Sequence, residues 1–420
     1  MRPEYNWCKI TMRTRREFVG LSLGLTATLS AQGERSPITN KWGEAKTTLL
    51  ELPEIVVYKA PPGAGYNHHQ QIIFDRGRLL ASWSNGAAHE DHPGQKMVFA
   101  TSTDLGNTWS EPSVITPAGP FETSAFTAMG ITLHRQEMHA YYGHYAWNDL
   151  AFNKDRSRIT ENGRGFRDKP APVAHHDIYS EVRVSKGHGS TWGAPIRILE
   201  KFVPNLRPFP VASGRLIMPG NITFPYTDDP AGPSGWKRTG IPRLPPWTVD
   251  DPEGFHNSCT ARGDAIDYCE GSFYQTDDRR IHMMLRTLPL RGEKHSGLLA
   301  VTESGDNGNT WSEPRLSGFS DCSCRFQFGR LPDGRFFGLS CPDPAGPRAP
   351  LVLALSRDGV VFDRHYVLGN LGRTKSRLAG RSIGTYGYPS CDVADGQMYI
   401  VFSRSKEDIH FCRLDLKSLV

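Results

Sequence analysis

The reactive potential of this chain is concentrated around a group of imidazoles. Residues 66–112 open with Asn67-His68-His69-Gln70, pass through Trp83-Ser84-Asn85-Gly86, and continue with His89-Glu90-Asp91-His92. Further along, Tyr142 lies in His139-Ala140-Tyr141-Tyr142-Gly143-His144-Tyr145, Arg183 in Ser180-Glu181-Val182-Arg183, and Tyr226 in Phe224-Pro225-Tyr226. A neutral imidazole, with an unperturbed pKa of about 6.5, can take a proton, and a phenol within hydrogen-bond reach can give one. A guanidinium is always charged and grips a carboxylate in a fork. Base, acid and cationic clamp together are what is needed to remove a proton next to a carboxylate and expel a β-leaving group. His68, His69 or His89 is the candidate base, Tyr142 the acid, and Arg183 the clamp. Tyr145 and Tyr179 are alternative acids, and Tyr226 completes the set. Asn67, Asn85 and His144 are candidate substrate contacts. A hydrolase would instead need two carboxylates, and Glu90, Asp91 and Asp149 leave that route open. His89-x-x-His92 alone is a weak metal signal.

These side chains need a scaffold, and the chain between them reads as short strands. Apolar runs at 71–74 and 79–83 flank Asp75-Arg76-Gly77-Arg78, a strand–turn–strand pattern, and 97–102 is a third strand. Similar pairs recur around Ser213-Gly214-Arg215, Asp277-Asp278, Pro332-Asp333-Gly334 and Asp395-Gly396. Residues 47–58 form a further strand, placed to close a ring with the C-terminal ones. Two polar connections, 146–177 and 223–256, read as insertions. Ser102-x-Asp104-x-Gly106-x-Thr108-Trp109 and Ser304-x-Asp306-x-Gly308-x-Thr310-Trp311 repeat one motif, each followed by Ser-Glu-Pro. Ser185-x-x-x-Gly189-x-Thr191-Trp192 and Ser356-Arg357-Asp358-Gly359 are degenerate copies. Asp and Gly make the tight turn, and Trp packs between neighbouring sheets. Short strand pairs without long helical periodicity predict an all-β chain, a single β-propeller over 47–420. At about 50 residues per blade, six or seven four-stranded blades are expected, with seven favoured.

The repeated motif matches the Asp-box (BNR) repeat, and the chain resembles the sialidase superfamily over essentially all of 47–420. That resemblance implies three arginines for a substrate carboxylate, a Tyr/Glu nucleophile pair and an Asp acid. The first arginine normally sits just before the first strand pair, where this chain has Asn67-His68-His69. Arg325 and Arg381 are the candidates for the other two, and Tyr388 for the tyrosine. The order paired His, Tyr, Arg, Tyr over 66–230 is similar to the propeller polysaccharide lyases of the ulvan and rhamnose–glucuronate type. This second resemblance implies β-elimination at a uronic acid. An acidic polysaccharide is thus the expected partner, with a sialidase-like exo-glycosidase or a non-catalytic glycan-binding propeller as alternatives.

Composition sets the outer limits. The 420 residues carry 38% hydrophobic residues, 42 Gly and 31 Pro, a turn-rich globular profile that is neither disordered nor membrane-like. The net charge of +5 suits an acidic ligand but says little by itself. No nucleotide-binding glycine loop, no Gly-x-Ser-x-Gly elbow and no basic–aromatic stripe for nucleic acid is present. Thr14-Arg15-Arg16-Glu17-Phe18 before a short apolar segment resembles a twin-arginine export signal over 1–32, with cleavage near Ala31 and Met12 as an alternative start. The segment is too short for a stable membrane span. A periplasmic or secreted location is expected. Cys8 falls in that leader, and the seven other cysteines are an odd number, which argues against a pure disulfide framework. No cofactor is needed for the chemistry. A structural zinc held by His256, Cys259, Cys269, Cys322 and Cys324, with Cys341 spare, is one expectation. Buried thiols or one or two disulfides are the other.

Overall fold

The computed structural model describes residues 35–87, 90, 93–117, 124–147, 175–242, 266–289, 296–378 and 384–420. Two strands come first, β1 (Lys46–Leu49) and β2 (Ile55–Tyr58). The first complete sheet holds β3 (Tyr66–Asp75), β4 (Arg78–Gly86), β5 (Lys96–Ser102) and β6 (Ser113–Val114). The second holds β7 (Ser124–His134), β8 (Glu137–Trp147), β9 (His175–Ser185) and β10 (Ile196–Glu200). A smaller third sheet has β11 (Phe209–Pro210), β12 (Leu216–Ile217) and β13 (Tyr226–Thr227). The fourth has β14 (Ile266–Gln275), β15 (Ile281–Pro289), β16 (Leu298–Ser304) and β17 (Arg315–Ser320). The fifth has β18 (Gln327–Arg330), β19 (Phe336–Ser340), β20 (Leu351–Ser356) and β21 (Phe362–Gly369). The last has β22 (Gly387–Ala394), β23 (Gln397–Arg404) and β24 (Asp408–Asp415).

The N-terminal strands complete sheets made by the end of the chain. β2 pairs antiparallel with β24, so the sixth sheet closes with a strand from the start of the sequence, as 47–58 predicted. β1 adds in parallel to β21. The compact unit runs Arg35–Val420, and Thr39 already bridges to Gly318 and Val361, ahead of the boundary at 47.

Near-continuous apolar runs such as those of β4 and β20 bury both faces of a sheet, and hydrophobic clusters fill the spaces between neighbouring sheets. Val57, Ile72, Trp83 and Phe411 join the sixth sheet to the first. Ile73, Met97, Phe126 and Tyr142 join the first to the second. Tyr141, Val182, Phe202 and Met218 link the second to the third. Ile217, Phe224, Phe273 and Leu285 link the third to the fourth. Tyr274, Met284, Phe328 and Ala354 join the fourth to the fifth. Leu339, Leu353, Cys391 and Ile400 join the fifth back to the sixth. Six sheets are present among the described residues, where six or seven blades were expected.

The two full Asp-box turns behave as their residue types require. Asp104 Oδ1 accepts from Ser102 Oγ (2.7 Å) and Thr108 N (2.9 Å), and Oδ2 from Thr108 Oγ1 (2.6 Å). Those bonds hold the exposed Asp104 carboxyl at about 2. Asp306 repeats the pattern with Ser304 and Thr310. Trp109 packs edge-on to Phe411 of the sixth sheet at 5.5 Å. Gly106 (φ +95°) has room for no side chain: an added Cβ would lie 2.1 Å from the Phe411 ring. We expect Gly106→Ala to destabilise the fold by about 3 kcal/mol, combining overpacking with left-handed backbone strain. Gly77→Ala, at φ +82° with open space around it, should cost only about 1 kcal/mol. Urea midpoints compare the two, and equal losses would remove the packing part of the account.

Candidate functional site

The first strands β3, β7, β14 and β22 each carry a β-bulge near their N-terminal end, at His68/Gln71, Thr127/Gly130, Cys269/Ser272 and Gly387/Ser390. Three of the bulges hold a non-glycine residue at positive φ: His69 (58°), Glu270 (47°) and Tyr388 (53°). A bulge re-aims its side chain out of the pleat, and backbone in this region is costly enough to mark a functional position. Three blades thus present one residue each from the same structural position. This is the end of the strands opposite the Asp-box turns, because β5 and β16 run on to those turns at their far ends.

Tyr388 is the centre of the group. Its hydroxyl accepts from Arg286 Nη1 at 3.0 Å, and the charge of the nearby Glu270 carboxylate acts on it. Arg286, on β15 directly opposite Cys269, also forms an ion pair with Glu270 and donates to Ser323 Oγ at 3.2 and 3.1 Å. The His68 ring lies 4.0 Å from the Tyr388 ring, centre to centre. The guanidinium carbons of Arg325 and Arg348 stand 4.7 and 5.2 Å from the ring centre, and Lys406 Nζ stands 5.9 Å away. Glu90 bridges His69 Nε2 (3.0 Å) and Lys406 Nζ.

Burial sets the charge states. It pushes the Tyr388 phenol well up, reinforced by the Glu270 charge, so Tyr388 is neutral at rest. Burial also opposes ionisation of Glu270, but Arg286 and the Tyr388 hydroxyl overcome it and hold the carboxyl below its usual range. His68 is driven well below an ordinary imidazole by burial and then by the Lys406 charge. Its Nδ1 bonds Ser403 Oγ at 2.7 Å, and that hydroxyl lies 3.3 Å from Gly387 O. Ser403 therefore donates to the carbonyl and accepts from Nδ1–H, which leaves Nε2 as a bare acceptor. Buried His68 Nε2, Gln70 Oε1, Arg325 Nε and Arg348 Nη1 have no hydrogen-bond partner. Four such atoms around one tyrosine are a cost unless a polar ligand satisfies them.

Burial, followed by repulsion from the Cys324 charge, raises the adjacent Asp321 carboxyl to about 7. Its unfolded value is near 3.9, so between about pH 4 and 7 the folded chain holds a proton that the unfolded chain has lost. Stability from this group therefore falls as pH rises through that window. The depressed imidazoles His68 and His69 act in the opposite sense. The difference between wild type and Asp321→Asn isolates the carboxyl, and wild type should lose stability relative to the variant from pH 4 to 7. A constant difference would refute the raised value.

The sequence candidates divide clearly. His68, His69, Arg325 and Tyr388 come together as described. Asn67 is structural: its Nδ2 donates to Ala64 O and Glu407 O, and its Oδ1 accepts from Trp83 Nε1 (2.9 Å) and Asn85 Nδ2 (2.7 Å), which occupies Asn85 as well. Arg183 is spent on backbone carbonyls, donating to Gly193 O (2.7 Å), Trp192 O (3.0 Å) and Ile115 O. It lies on β9, the third strand of its sheet counting from β7, away from the group around Tyr388. Tyr142, on β8, packs against Phe126 at 5.5 Å within the space between the first and second sheets. His144 is stacked on Tyr179 (4.4 Å), whose other neighbour is Arg197 (3.5 Å), and bonds Asp177 O. Tyr226 is in the outermost strand of the third sheet under Arg215 (3.7 Å). Tyr142 and Tyr226 are part of the hydrophobic clusters between sheets. His89, Asp91, His92, Asp149, Arg381, His256 and Cys259 lie outside the described residues, as does the leader 1–32, and the side chain of Tyr145 is not described. Among the described residues no group of His, Cys, Asp and Glu could hold a metal, and Cys269, Cys322, Cys324 and Cys341 are free thiols. Arg183→Ala is expected to leave catalysis unchanged and to cost about 1–2 kcal/mol of stability. A selective loss of turnover would return Arg183 to the site.

Glu270, Arg286, Arg348 and Lys406 were missed. Glu270 was readable in principle: Glu270-Gly271-Ser272 stands to its strand as His69-Gln70-Gln71 and Tyr388-Pro389-Ser390 stand to theirs. Arg286 is the charge ending the apolar run 281–285. Arg348 lies in a Pro- and Gly-rich loop with no periodic signal.

A family model described as BNR repeat-like domain matches residues 77–400. No curated protein matches. Among solved structures, a protein of unknown function from Dyadobacter fermentans DSM 18053 aligns with TM-score 0.60 at 15% identity, over 87% of this chain and 98% of its own. A Hadza microbial sialidase, Hz136, aligns with TM-score 0.61 at 14% identity, over 85% and 67%. The intramolecular trans-sialidase from Ruminococcus gnavus aligns with TM-score 0.56 at 13% identity, over 86% and 97%. At these identities the likeness is one of fold.

Proposed function

Because the chain belongs to the BNR repeat-like domain family, we propose that it is a carbohydrate-active enzyme whose site is the cluster around Tyr388, acting on a glycoside of an acidic sugar. The observation that carries this reading is the Tyr388 hydroxyl bound by Arg286, which is itself ion-paired with Glu270. A phenol is a poor nucleophile until a base takes its proton. Glu270, ionised and paired to the arginine that binds the phenol, is that base, and Arg286 offsets the charge left on the phenol oxygen. Arg348, with Nη1 buried and unpartnered, supplies a fork for the sugar carboxylate. Lys406 and Arg325 add positive potential, which stands in for the arginine missing before β3. The fold neighbours named as sialidases support a glycoside of this kind.

A second reading, β-elimination from a uronic acid, rests on His68. Its bare Nε2, fixed by Ser403, is a neutral base beside Tyr388, which can serve as the acid to the leaving oxygen. This retains the base–acid–arginine logic of the sequence but moves acid and clamp from Tyr142 and Arg183 to Tyr388 and Arg348. We further propose that 1–32 acts as an export leader, which would bring the enzyme to where such polymers are met.

The test is a panel of acidic glycosides and uronate-containing polysaccharides, followed for released sugar and for near-ultraviolet absorbance of an unsaturated uronate. Sugar release without new absorbance supports the first reading, and rising absorbance supports the second. Binding without either product would mean a glycan-binding propeller and would overturn both.

A further inference from the structure

The turn between β23 and β24 serves the site on one side and a surface segment on the other. Lys406 brings its Nζ to 5.9 Å from the Tyr388 ring centre and pairs with Glu90. Its two sequence neighbours hold residues 371–378. Glu407, only 2% exposed, accepts from Arg377 N at 3.1 Å and Leu378 N at 3.0 Å. Ser405 Oγ donates to Thr374 O at 3.3 Å and lies 3.1 Å from Thr374 Oγ1. At the other end, Leu371 N donates to Tyr386 Oη at 3.0 Å, and Gly372 O accepts from Thr385 Oγ1 at 2.6 Å. Tyr386 and Thr385 stand just ahead of Tyr388 in the chain. Tied at both ends and in the middle, 371–378 is a fixed ledge beside the site. The two carboxylates that touch it, Glu407 and Asp408, are both engaged by Arg377. Arg373 and Lys375 are exposed and have no ion pair or hydrogen bond among the described residues. Leu371 and Leu378 are 50% and 39% exposed.

We propose that this ledge binds a polymeric acidic glycan. Arg373 and Lys375 take the acidic groups of sugar residues beyond the one at Tyr388, and Leu371 and Leu378 offer apolar ground to the C–H faces of the rings. The choice of an acidic glycan as occupant rests on the proposed reading of the site. The ledge itself adds that the substrate is a chain carrying repeated negative charge. Both cations are uncompensated, so an incoming anion breaks no existing ion pair. The backbone under them is already ordered, so little conformational freedom is lost on binding. A single exposed charge contact is weak. A repeating anionic chain overcomes that by engaging both cations and the site at once, whereas a lone acidic sugar engages the site only.

The test measures binding of the full chain to polysialic acid, polygalacturonate and alginate at rising salt. Dextran serves as the neutral polymer, and N-acetylneuraminic acid and galacturonic acid as single sugars. Wild type should bind at least one acidic polymer, and not dextran, with an affinity that falls as salt rises. Arg373→Ser/Lys375→Ser should weaken that binding about tenfold and flatten its salt dependence, with affinity for the single sugars unchanged. Lys186→Ser/Arg279→Ser removes two exposed charges from turns on the opposite face and should bind as wild type does. No acidic polymer bound, or equal binding by wild type and the ledge variant, would overturn the proposal, as would an equal loss in both double variants. Turnover of the bound polymer separates the ledge from the reaction. Polymer bound through the ledge but never cleaved would refute the proposed reaction and leave the ledge standing. Cleavage that the ledge variant performs with wild-type KM would refute the ledge and leave the reaction standing.

Discussion

Tyr388→Phe should lower kcat/KM at least about a thousandfold, as removal of a positioned nucleophile or proton-transfer group does. That is roughly 4 kcal/mol of transition-state stabilisation. The substitution removes one atom, the hydroxyl oxygen that Arg286, the ion-pair partner of Glu270, binds. The ring keeps its contacts with His68 and Arg325, and the strained backbone at φ 53° is unchanged. The loss should therefore fall on kcat with little change in KM, because substrate binding rests on Arg348 and its cationic neighbours. Steady-state kinetics with the best substrate of the glycoside panel, beside a thermal unfolding curve, check both halves. Activity close to wild type would remove the tyrosine from the chemistry. His68→Ala then separates the two proposed reactions: elimination needs the bare Nε2, whereas nucleophilic attack by Tyr388 does not.

The parts of the molecule legible in the sequence are those written as local pattern. Asp104 and Asp306 announce their turns because Ser, Asp, Gly, Thr and Trp at fixed spacing satisfy one another within eight residues. Short apolar runs such as 79–83 announce the strands, and 47–58 announces the closing strand β2. His68 and His69 stand out in the sequence as paired imidazoles, Tyr388 through the resemblance to sialidases, and the structure brings the three rings together. The site failed to read out where it depends on which strand faces the axis. Tyr142 and Arg183 have the right chemistry, but sit on the second and third strands of their sheet, where a side chain meets the next blade. Glu270 and Arg286 have ordinary neighbours in the sequence, and become a pair only because β14 lies against β15 with Cys269 opposite Arg286. Arg348 comes from a loop brought in by tertiary structure alone. Local rules fix turns and strands, whereas blade order and bulge position fix which residues meet.

Glu270→Ala should abolish turnover and also destabilise the fold by about 3–5 kcal/mol, the usual result of removing one partner from a buried ion pair. Both side chains are only 12% exposed, so solvent cannot replace the lost carboxylate. Arg286 would be left charged among Tyr388, Ser323 and, nearby, the cations Arg325 and Arg348, with repulsion added to desolvation. Glu270→Gln keeps the volume and one acceptor, and should destabilise less while still losing turnover, since an amide cannot take the phenol proton. The double variant Glu270→Gln/Arg286→Met removes the stranded charge and should recover stability relative to Glu270→Ala without recovering activity. Urea unfolding of the three variants, combined with turnover of each, reads the two effects separately. If Glu270→Ala is as stable as wild type, the pair is not the electrostatic anchor of the site. If Glu270→Gln turns over normally, Glu270 positions Tyr388 without taking its proton. The pair holds the tyrosine in a high-energy backbone conformation and accepts its proton, so stability and catalysis draw on the same two charges.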